Sequence, residues 1–440
     1  MSGCGIVKAS ERSDGGGKAA LPNHELIDGS SEFCIERHSG LEKNNTLESL
    51  GVRKGGLPPP SDPGATAPAS VPLRVLIVAP SMDILGGQAV QAERLLAHLR
   101  KEPSLEIGFL PINPRLPGIL RTLQKIKYVR TVVTSIAYLA TLLARVRKYD
   151  IVHTFSASYF SFVLAPTPAL LVARLYRRKV LLNYHSGEAE DHLARWTRSA
   201  IPTMRLAHEI AVPSEYLVRV FAHHGLQARA IFNIIGTETF RFRERRPLRP
   251  IFLANRNLES HYGVDHVLRA FAIIQQSVPE AHLTVAGDGS QRRALEQLAS
   301  ELDLRHVEFT GQIDQAKVFA QYDAADIYLN GSAIDNQPLS LLEAFACGLP
   351  VVTTNAGGIP DIVTHEQTGL LVQGGNYEAL AREALRLLND PALVECVTSQ
   401  ALAECQRYSW EAVRDQWLQL YEGLGEQKAE SKILDVVARK

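Results

Sequence analysis

The chain has 440 residues, of which 45% are hydrophobic, and this is enough material for the cores of two domains rather than one. Lysines and arginines together number 47, and so do aspartates and glutamates. The resulting formal charge of zero excludes a general attraction to nucleic acid or to anionic surfaces, so any such attraction must be local. Five cysteines without paired CxxC spacing indicate a reducing cytoplasm, not a disulfide framework or a structural zinc site.

Residues 1–70 combine the runs GGGK and PPPSDPGATAPAS with scattered charge and little periodic hydrophobicity. Such a segment cannot offset its ordering entropy by burial, so we predict a disordered N-terminal extension. The first residues carry no apolar run behind their charges, and a secretory signal is not expected. Because no 18 uninterrupted apolar residues occur, we also expect no transmembrane helix.

Short apolar runs alternate with amphipathic stretches along the rest of the chain. The first run, residues 74–80, is continuous and suits a strand buried on both faces; a Gly-Gly turn and a helix follow it. The same pattern predicts a helical stretch over residues 160–178 and further strands at residues 150–153, 179–183, 251–254, 282–286, 307–309, 327–330 and 351–354. This alternation predicts an α/β protein whose parallel sheets are covered by helices on both faces.

The two halves of this pattern are separated by the charged, proline-punctuated segment FRFRERRPLRP at residues 240–250, where we place a hinge. The expected organisation is a first domain over residues 71–240, a second domain over residues 250–405, and a C-terminal helix at 406–424 that returns to the first domain. Ligands of doubly wound folds bind beyond the carboxyl ends of the strands, so a cleft between the domains is the expected binding site.

One predicted helix in the second half has an N-terminus suited to binding an anion. In the segment DNQPLSLLEAFACGLP, residues 335–350, a proline near the beginning and a glycine and proline near the end predict a helix from about residue 337. The free backbone amides around Leu339 and Ser340, together with the positive end of the helix dipole, form an anion site suited to a diphosphate.

Two acidic residues accompany this helix. Glu343 lies less than two turns in, where a carboxylate can accept hydrogen bonds from a ribose diol, as in other nucleotide-binding folds. Asp335 lies just before the helix. An ordinary helix whose acidic residues complement its dipole explains the same spacing, so the spacing alone does not decide between the two interpretations.

The segment resembles the Glu-x7-Glu motif of family 4 retaining glycosyltransferases, with Asp335 in the first position and Glu343 in the second. The resemblance covers roughly residues 73–424 and implies the GT-B fold, in which two Rossmann-like doubly wound domains face a central cleft. The other matching segments stand in the order and spacing of that family: Gly86-Gly87, His153, VPSE at 212–215, Arg256, GDG at 287–289, Gly311, AGGIPDIVTHEQTGLLV at 356–372 and YSW at 408–410.

The resemblance implies retaining, metal-independent hexosyl transfer from a nucleotide-diphosphate sugar to an acceptor that the sequence does not identify. Polysaccharide biosynthesis, with a lipid-linked or cell-surface glycan precursor as acceptor, fits this class. In such enzymes the residue matching Glu343 holds the ribose, and the one matching Asp335 contacts the transferred sugar. The residue matching Arg256 neutralises the diphosphate, a task that suits a bidentate guanidinium.

Glycines complete the predicted donor site. Gly86 and Gly87 directly follow the first strand, where an absent side chain lets backbone amides approach phosphates; a simple tight turn is the alternative. Gly287 in the GDG segment belongs to the same site by the resemblance. With Leu339 and Ser340 at the helix start, these residues form the donor set.

The sequence departs from the family pattern after Arg256. A lysine is usual about five residues later, whereas here the stretch is Ser-His-Tyr-Gly, in which His261 supplies positive charge only when it is protonated. Asp335 is also one methylene shorter than glutamate. These departures leave open a catalytically silent sugar-nucleotide binder. A nucleotide-sugar epimerase of similar shape is a further alternative, although it lacks the motif from Asp335 to Glu343.

Candidates for the remaining chemistry are weaker. The resemblance suggests front-side transfer, in which the departing phosphate helps to deprotonate the acceptor. We expect His153 and His185 at strand ends facing the cleft, the former as a catalytic candidate and the latter, like His261, as a sugar or acceptor contact; a structural role is the alternative. No Asp-x-Asp occurs, so we predict no metal, and no cofactor is expected.

A basic stretch occupies the first half. Between residues 107 and 187 the sequence has one acidic residue, Asp150. The apolar segment 131–144 within this stretch is expected to be too short to span a bilayer. Basic flanks around an apolar helix favour contact with an anionic membrane through residues 115–148, although a core helix with solvated charges fits equally. We therefore expect a cytoplasmic protein, peripheral on the inner face of the membrane, with no nucleic-acid partner. The basic residues are Arg115, Arg121, Lys125, Lys127, Arg130, Arg145, Arg147, Lys148, Arg174, Arg177, Arg178 and Lys179.

Overall fold

The computed structural model describes residues 71–83, 86–124, 126, 128–236, 238–314 and 317–437, without the side chains at 119, 120 and 429–437. The disordered extension predicted for residues 1–70 lies outside these described residues. Every strand in the described part belongs to one of two parallel sheets of six strands each.

The first sheet has the strand order β2-β1-β3-β4-β5-β6. Its central strand β1 consists almost entirely of buried aliphatic residues, as a strand covered on both faces requires. We call the part built on this sheet the first domain. Its elements are β1 (Leu73–Ala79), α1 (Gly87–Leu99), β2 (Leu105–Pro111), α2 (Ile119–Leu123), α3 (Val129–Arg145), β3 (Ile151–Ser156), α4 (Tyr159–Leu164), α5 (Pro166–Leu175), β4 (Lys179–Tyr184), α6 (Ala189–Arg195), α7 (Thr197–Met204), β5 (Glu209–Val212), α8 (Glu215–His223) and β6 (Arg229–Ala230).

The second sheet has the order β12-β11-β10-β7-β8-β9, and we call the part built on it the second domain. Its elements are β7 (Ile251–Asn255), α9 (Val264–Ser277), β8 (His282–Ala286), α10 (Arg292–Glu301), β9 (Val307–Gly311), α11 (Val318–Ala324), β10 (Ile327–Asn330), α12 (Leu339–Cys347), β11 (Val351–Thr354), β12 (Leu370–Val372), α13 (Tyr377–Asn389), α14 (Pro391–Glu404) and the long α15 (Trp410–Val437).

The predicted α/β architecture of two doubly wound, Rossmann-like domains is confirmed. In each sheet, the strand order reverses at the first strand in the chain. In the first sheet β1 lies between β2 and β3, and in the second sheet β7 lies between β10 and β8. Ligands of such sheets bind at these switch points, beyond the carboxyl ends of the strands. The predicted helical stretch at 160–178 is divided into α4 and α5 at Pro166, whose ring cannot continue a helix interior.

Helix α15 follows the second domain in the chain but packs on the first. Its buried side chains Val413, Trp417 and Tyr421 share one hydrophobic cluster with residues of β1 and α1. At the other end, Lys428 pairs with Asp150, the acidic residue that precedes β3. The C-terminal helix therefore ties the two domains together.

The segment at residues 240–250, where the sequence placed a hinge, is fastened to the second domain. Three arginines converge on the buried carboxylate of Asp326: Arg243 at 3.0 Å, Arg249 at 2.8 Å and Arg245 at 3.6 Å. The guanidinium of Arg245 is buried and donates to four backbone carbonyls. The crossing between the sheets comes earlier, at residues 231–236, where the chain runs between α1 and the loop before α12.

Helix α3 and the turn after it form one apolar segment, Val129–Lys148, which is long and apolar enough to cross a bilayer by length and composition. The expectation that this region is too short was wrong, because the helix extends beyond the 131–144 run at both ends. Tyr138, Leu142 and Val146 are nevertheless buried in the first domain's core, so one face of the helix is occupied by the protein itself.

Candidate active site

A cavity of about 680 Å³ lies between the carboxyl ends of the two sheets. The first domain contributes the start of α1, the loop after β3 and the loop after β4 to its walls, and the second domain contributes the loops after β7, β8 and β10 and the start of α12. This is the position at which two doubly wound domains are expected to bind a shared ligand. Every predicted donor residue and both weaker histidines line it: Gly86, Gly87, His185, Arg256, His261, Gly287, Asp335, Leu339, Ser340 and Glu343.

The start of α12 forms the floor of this cavity. The helix begins at Leu339, two residues later than predicted, with Pro338 directly before it in an extended conformation. The backbone N–H groups of Leu339 and Ser340 have no carbonyl one turn earlier in the helix and so remain available to an anion. Gly348 ends the helix in the left-handed conformation, as the sequence predicted.

Arg256 stands beside this helix start, in the loop that follows β7. Its guanidinium pairs with the carboxylate of Asp335 and donates through Nη1 to Ser340 Oγ at 3.2 Å. The ring of Tyr262 lies 4.1 Å from the guanidinium carbon and fixes its plane. The Nε of Arg256 is buried without a hydrogen-bond partner among the described residues, so one donor of this fixed guanidinium is unsatisfied beside the cavity wall.

The loop that carries Asp335 is held from both sides. The carboxylate also accepts hydrogen bonds from the N–H of Asn336 at 2.9 Å and from Ser332 Oγ at 3.3 Å. In the second domain, a Cβ on Gly357 would lie 2.0 Å from the carbonyl oxygen of Asp335, and its φ of +53° is left-handed. In the first domain, a Cβ on Gly187 would come within 3.3 Å of the same residue. The absence of side chains at these glycines lets the loop sit between the domains.

Glu343 is the fifth residue of α12, and its side chain is buried. Tyr322 donates its hydroxyl to one carboxylate oxygen at 3.0 Å, and Arg94 of the first domain donates through Nη2 to the other at 3.0 Å. Burial raises the pKa of Glu343, while the Arg94 guanidinium and the Tyr322 hydroxyl oppose that rise by stabilising the carboxylate. The carboxylate therefore faces the cavity as an acceptor already fixed from two directions.

The two glycines of the first domain face this helix start. Gly86 precedes α1 and Gly87 is its first residue. A Cβ on Gly86 would meet nothing within 4 Å, and one on Gly87 would lie 4.0 Å from the side chain of Leu339. The fold itself thus has room for a side chain at both positions. Because neither glycine has a side chain, the part of the cavity opposite the backbone amides of α12 stays open.

At Gly287, the backbone conformation and a close contact require a glycine. Its φ of +128° is in the region that residues with side chains rarely adopt, and a Cβ would lie 2.0 Å from the carbonyl oxygen of Arg256. The Gly287 N–H donates to Gly311 O at 2.9 Å, and the Arg256 N–H donates to Ala286 O at 2.9 Å. Gly287 therefore allows the loop after β8 to lie directly against Arg256 and to help place it.

The histidines divide into two groups. His185 lies directly after β4 and lines the cavity, with its Nε2 buried and unpartnered among the described residues; burial lowers its pKa to about 3. His261 lies in the turn before α9 and also lines the cavity, with its ring 4.2 Å from that of Tyr262. Both are placed where a sugar or an acceptor can reach them.

The expectation that His153 faces the cleft at a strand end was wrong. The strand continues to Ser156, so His153 is the third of six strand residues and is completely buried. Its Nδ1 lies 2.8 Å from the hydroxyl of Tyr421 on α15, and its ring stacks on Phe155 and Trp417. Burial, with a smaller contribution from nearby His185, lowers its pKa to about 3. His153 is a neutral core residue that helps to seat the C-terminal helix.

Two residues that the sequence did not predict, Arg94 and Tyr322, complete the surroundings of Glu343. Arg94 follows Gly87 by seven residues, or two helical turns, so the spacing places it on the same face of α1 as the cavity glycine. No comparable signal marks Tyr322, whose position depends on how α11 packs against α12. No group of three or more His, Cys, Asp or Glu residues that could hold a metal ion occurs within the described part of the chain.

Comparisons with known proteins bear on this architecture. Residues 237–403 match the family model described as glycosyl transferases group 1. A sulfoquinovosyl transferase of Arabidopsis thaliana is 27% identical over 310 residues, which are 65% of this chain and 59% of that protein. A GDP-mannose-dependent alpha-(1-6)-phosphatidylinositol monomannoside mannosyltransferase of Mycolicibacterium smegmatis is 34% identical over 161 residues, 34% of this chain and 42% of that protein. The chain thus spans less than two thirds of the length of either relative.

A solved structure of the Anabaena protein HepE in complex with UDP and glucose superimposes with a TM-score of 0.63 at 17% identity. The superposition covers 80% of this chain and all of that one, and at this identity it shows the fold alone. The family match falls on the domain that holds Arg256, Asp335 and Glu343, and the likeness in fold extends across both domains. The chain therefore has the GT-B fold, and its second domain matches the glycosyl transferases group 1 family.

Proposed function

We propose that the protein transfers a sugar from a nucleotide-diphosphate sugar to a hydroxyl group of an acceptor, with retention of the anomeric configuration. The observation that carries this proposal is the convergence of an arginine, a helix start and a buried carboxylate in one interdomain cavity: Arg256, the first residues of α12 and Glu343. These are the groups that a diphosphate and a ribose require.

We infer that the donor binds these groups from within the cavity. The diphosphate is placed beside the Arg256 side chain and the N–H groups at the start of α12, with Gly86 and Gly87 leaving space opposite them. The ribose diol lies at Glu343. A carboxylate has about four acceptor sites, and Arg94 and Tyr322 use two of them, so acceptor capacity remains for two hydroxyls.

Retention is proposed to proceed on the front side of the sugar. A double displacement would need a free carboxylate nucleophile about 5 Å from a second carboxyl group, whereas Asp335 is engaged by Arg256, Ser332 and Asn336. In front-side transfer the bond from the anomeric carbon to the diphosphate breaks as the bond to the acceptor oxygen forms. The acceptor proton passes to the departing phosphate. Arg256 stabilises the charge on that phosphate, so the proposed reaction needs no metal ion.

For the acceptor we propose a lipid-linked glycan precursor, reached by a cytoplasmic protein peripheral to an anionic membrane. The Mycolicibacterium relative carries a phosphatidylinositol monomannoside in its name. The basic stretch belongs to the first domain, whose loops form the cavity wall opposite the proposed donor site. His185 and His261 are proposed to contact the sugar or the acceptor from the walls of the cavity.

The first test is thermal stabilisation of the purified protein by UDP-, GDP- and ADP-sugars, with and without EDTA. A donor at 100 times its dissociation constant adds about 2.7 kcal/mol to the free energy of unfolding. The stabilising donor is then supplied with a radioactive sugar and a membrane lipid extract, and the product's anomeric configuration is determined by NMR. We expect transfer with retention in the presence of EDTA.

Each alternative gives a different result in the same experiment. Stabilisation by a donor without transfer to any acceptor supports a catalytically silent binder. Conversion of the bound sugar to its epimer supports a nucleotide-sugar epimerase. An inverted product, or a requirement for a divalent cation, contradicts the retaining, metal-independent mechanism while leaving glycosyl transfer in place.

A further inference from the structure

Helix α3 presents a row of aliphatic side chains to solvent. Val132, Ile136, Leu139 and Leu143 are 59%, 64%, 42% and 38% exposed, and their spacing of four, three and four residues places them on one face. Another face carries Tyr138 and Leu142, which are buried in the first domain. The helix therefore has an apolar face that no residue in the described part of the chain covers, and this face runs most of its length.

Helices α4 and α5 extend this exposed surface. Phe160 and Val163 on α4 are 63% and 40% exposed, and Leu171 and Leu175 on α5 are 53% and 68% exposed. We call the exposed residues of the three helices the apolar face: Val132, Ile136, Leu139, Leu143, Phe160, Val163, Leu171 and Leu175.

Two contacts hold α3 and α5 side by side. The hydroxyl of Tyr138 donates to Ala165 O at 2.8 Å where α5 begins, and Arg178 donates to Arg147 O at 2.5 Å where both helices end. The buried sides of both helices belong to one core cluster with β1, β3 and β4. They cover the same side of the sheet, so their exposed sides form one continuous surface.

The charge around the apolar face is positive. Arg130 lies at the start of α3, and Arg147 and Lys148 lie just beyond its end; all three are exposed. The one acidic residue between positions 107 and 187 is Asp150, and it is already paired with Arg74 and Lys428. The apolar face is thus flanked by cations that nearby acidic residues of this stretch do not neutralise.

We propose that the apolar face docks on the surface of an anionic lipid bilayer, with α3 lying in the plane of the interface. Exposed aliphatic side chains bordered by lysine and arginine are the composition of interfacial helices, which insert one face to the depth of the headgroup and acyl boundary. A membrane-spanning position for α3 would strip Tyr138 and Leu142 from the domain core. The charge complementarity favours anionic lipid over an apolar protein partner.

The apolar face reaches the cavity. Phe160 is part of that face and also lines the cavity, as do its neighbours Tyr159 and Ser161. A lipid-linked acceptor embedded in the bilayer therefore meets the cavity mouth beside Phe160, without leaving the interface. This inference rests on the proposed function and defines how its acceptor would arrive.

The test uses the full chain with vesicles of phosphatidylcholine alone or with phosphatidylglycerol, separated by sedimentation. We expect binding to the anionic vesicles, release by high salt through screening, and weak binding to the neutral ones. Ile136→Ser together with Leu139→Ser should lower the apparent affinity for anionic vesicles at least tenfold. Phe160→Ser should lower it also, because that residue joins the face to the cavity. All three positions are exposed, so the fold should tolerate these changes.

A charge-matched pair separates local docking from net charge. Arg130→Glu with Arg147→Glu and Arg293→Glu with Arg305→Glu change the total charge equally, and all four arginines are exposed. The first pair should abolish vesicle binding, whereas the second pair, on the second domain, should bind nearly as wild type. Stabilisation by the nucleotide sugar should be unchanged in the Ile136 and Leu139 double variant and in both arginine pairs, none of which lines the cavity. A failure of docking is thus distinguished from a failure of the proposed donor site.

Three outcomes would overturn the proposal. The first is equal binding of the wild-type protein to neutral and anionic vesicles, or no binding to either. The second is wild-type affinity in the Ile136 and Leu139 double variant. The third is a wild-type dimer in light scattering that the same double variant converts to a monomer, which would make the apolar face an interface between copies of this chain.

Discussion

Arg94 of the first domain donates to the carboxylate of Glu343 in the second domain across 3.0 Å, and both side chains are largely buried. The other guanidinium nitrogen, Nη1, donates to Ile234 O at 3.0 Å, in the segment where the chain crosses between the sheets. The residue proposed to hold the donor ribose is therefore fixed from the opposite domain. The donor site is complete only while the two domains are together.

Replacing Arg94 by Met should weaken donor binding at least tenfold, because breaking a buried ion pair from one side costs about 3–5 kcal/mol and leaves Glu343 uncompensated. Arg94 opposes the rise in the pKa of Glu343 that burial causes, so its loss moves that pKa higher. Donor affinity in the variant should then begin to fall at a higher pH than in wild type as the solution is acidified. Calorimetric titration with the preferred nucleotide sugar between pH 5.5 and 8 measures both effects.

A matched control for this variant is Arg219→Met. Arg219 pairs with Asp361 of the second domain at 3.1 Å, but its side chain is 62% exposed. An exposed pair contributes about 0–1 kcal/mol, so donor affinity and its pH dependence should remain close to wild type. An equal loss of donor affinity in the two variants would contradict this prediction. The loss would then come from weaker contact between the domains in general, and not from the missing interaction of Arg94 with Glu343.

Glu343→Ala and Asp335→Ala should affect different kinetic parameters. Loss of the Glu343 carboxylate leaves the ribose hydroxyls without acceptors in a desolvated cavity, at a cost of about 1–3 kcal/mol, or roughly 5- to 150-fold in donor affinity. Asp335→Ala should lower kcat more than affinity, since the resemblance places that carboxylate at the transferred sugar. Donor titration and initial-rate kinetics check the split. Unchanged donor affinity in Glu343→Ala would refute the assignment of the ribose site.

Alanine substitutions at three glycines should separate binding from folding. Gly86→Ala and Gly87→Ala have room in the protein, so the melting temperature should stay within a degree or so while donor affinity falls. Gly287→Ala requires a strained φ and places its Cβ 2.0 Å from Arg256 O, so it should lower the melting temperature markedly. Thermal melts and donor titrations on the three variants provide the comparison. Wild-type donor affinity in both Gly86→Ala and Gly87→Ala would leave them as turn residues alone.

Stability should fall as the pH is lowered from 7 to 5. Burial lowers the pKa of His153 to about 3 in the folded protein, against about 6.5 in the unfolded chain. Between these values the unfolded state binds a proton that the native state does not, so the free energy of unfolding decreases with falling pH. His153 alone contributes a loss of about 2 kcal/mol between pH 7 and pH 5, and His185 acts in the same direction.

Denaturant unfolding at pH 7, 6 and 5 measures this dependence. His153→Phe should be less stable than wild type at pH 7, because Tyr421 loses its hydrogen-bond partner, but its stability should depend less on pH. The exposed His223→Phe serves as control and should keep the wild-type dependence. An unchanged pH slope in His153→Phe would show that His153 does not carry this linkage.

The order of strands and helices in the second domain was determined by the sequence itself. Strands β8, β10 and β11 have the bounds that the apolar runs predicted. The position of α12 followed to within two residues from its flanking proline and glycine. These features are local, because a buried parallel strand and a helix end each depend on residues close in sequence. The strands that the sequence missed, such as β2, β6 and β12, all lie at an edge of their sheet, and β6 and β12 have only two and three residues.

Only the tertiary structure decided which polar side chains meet. Arg94 and Glu343 are separated by 249 positions, and no local pattern at either residue indicates the other. His153 was assigned to the cleft because the predicted strand ended there, whereas α15 covers it from the far end of the chain. The same holds for α3, whose aliphatic side chains do not all lie on one face. The packing of Tyr138 and Leu142 on the first sheet determined which side remained exposed, because a helix can bury only the face that its neighbours cover.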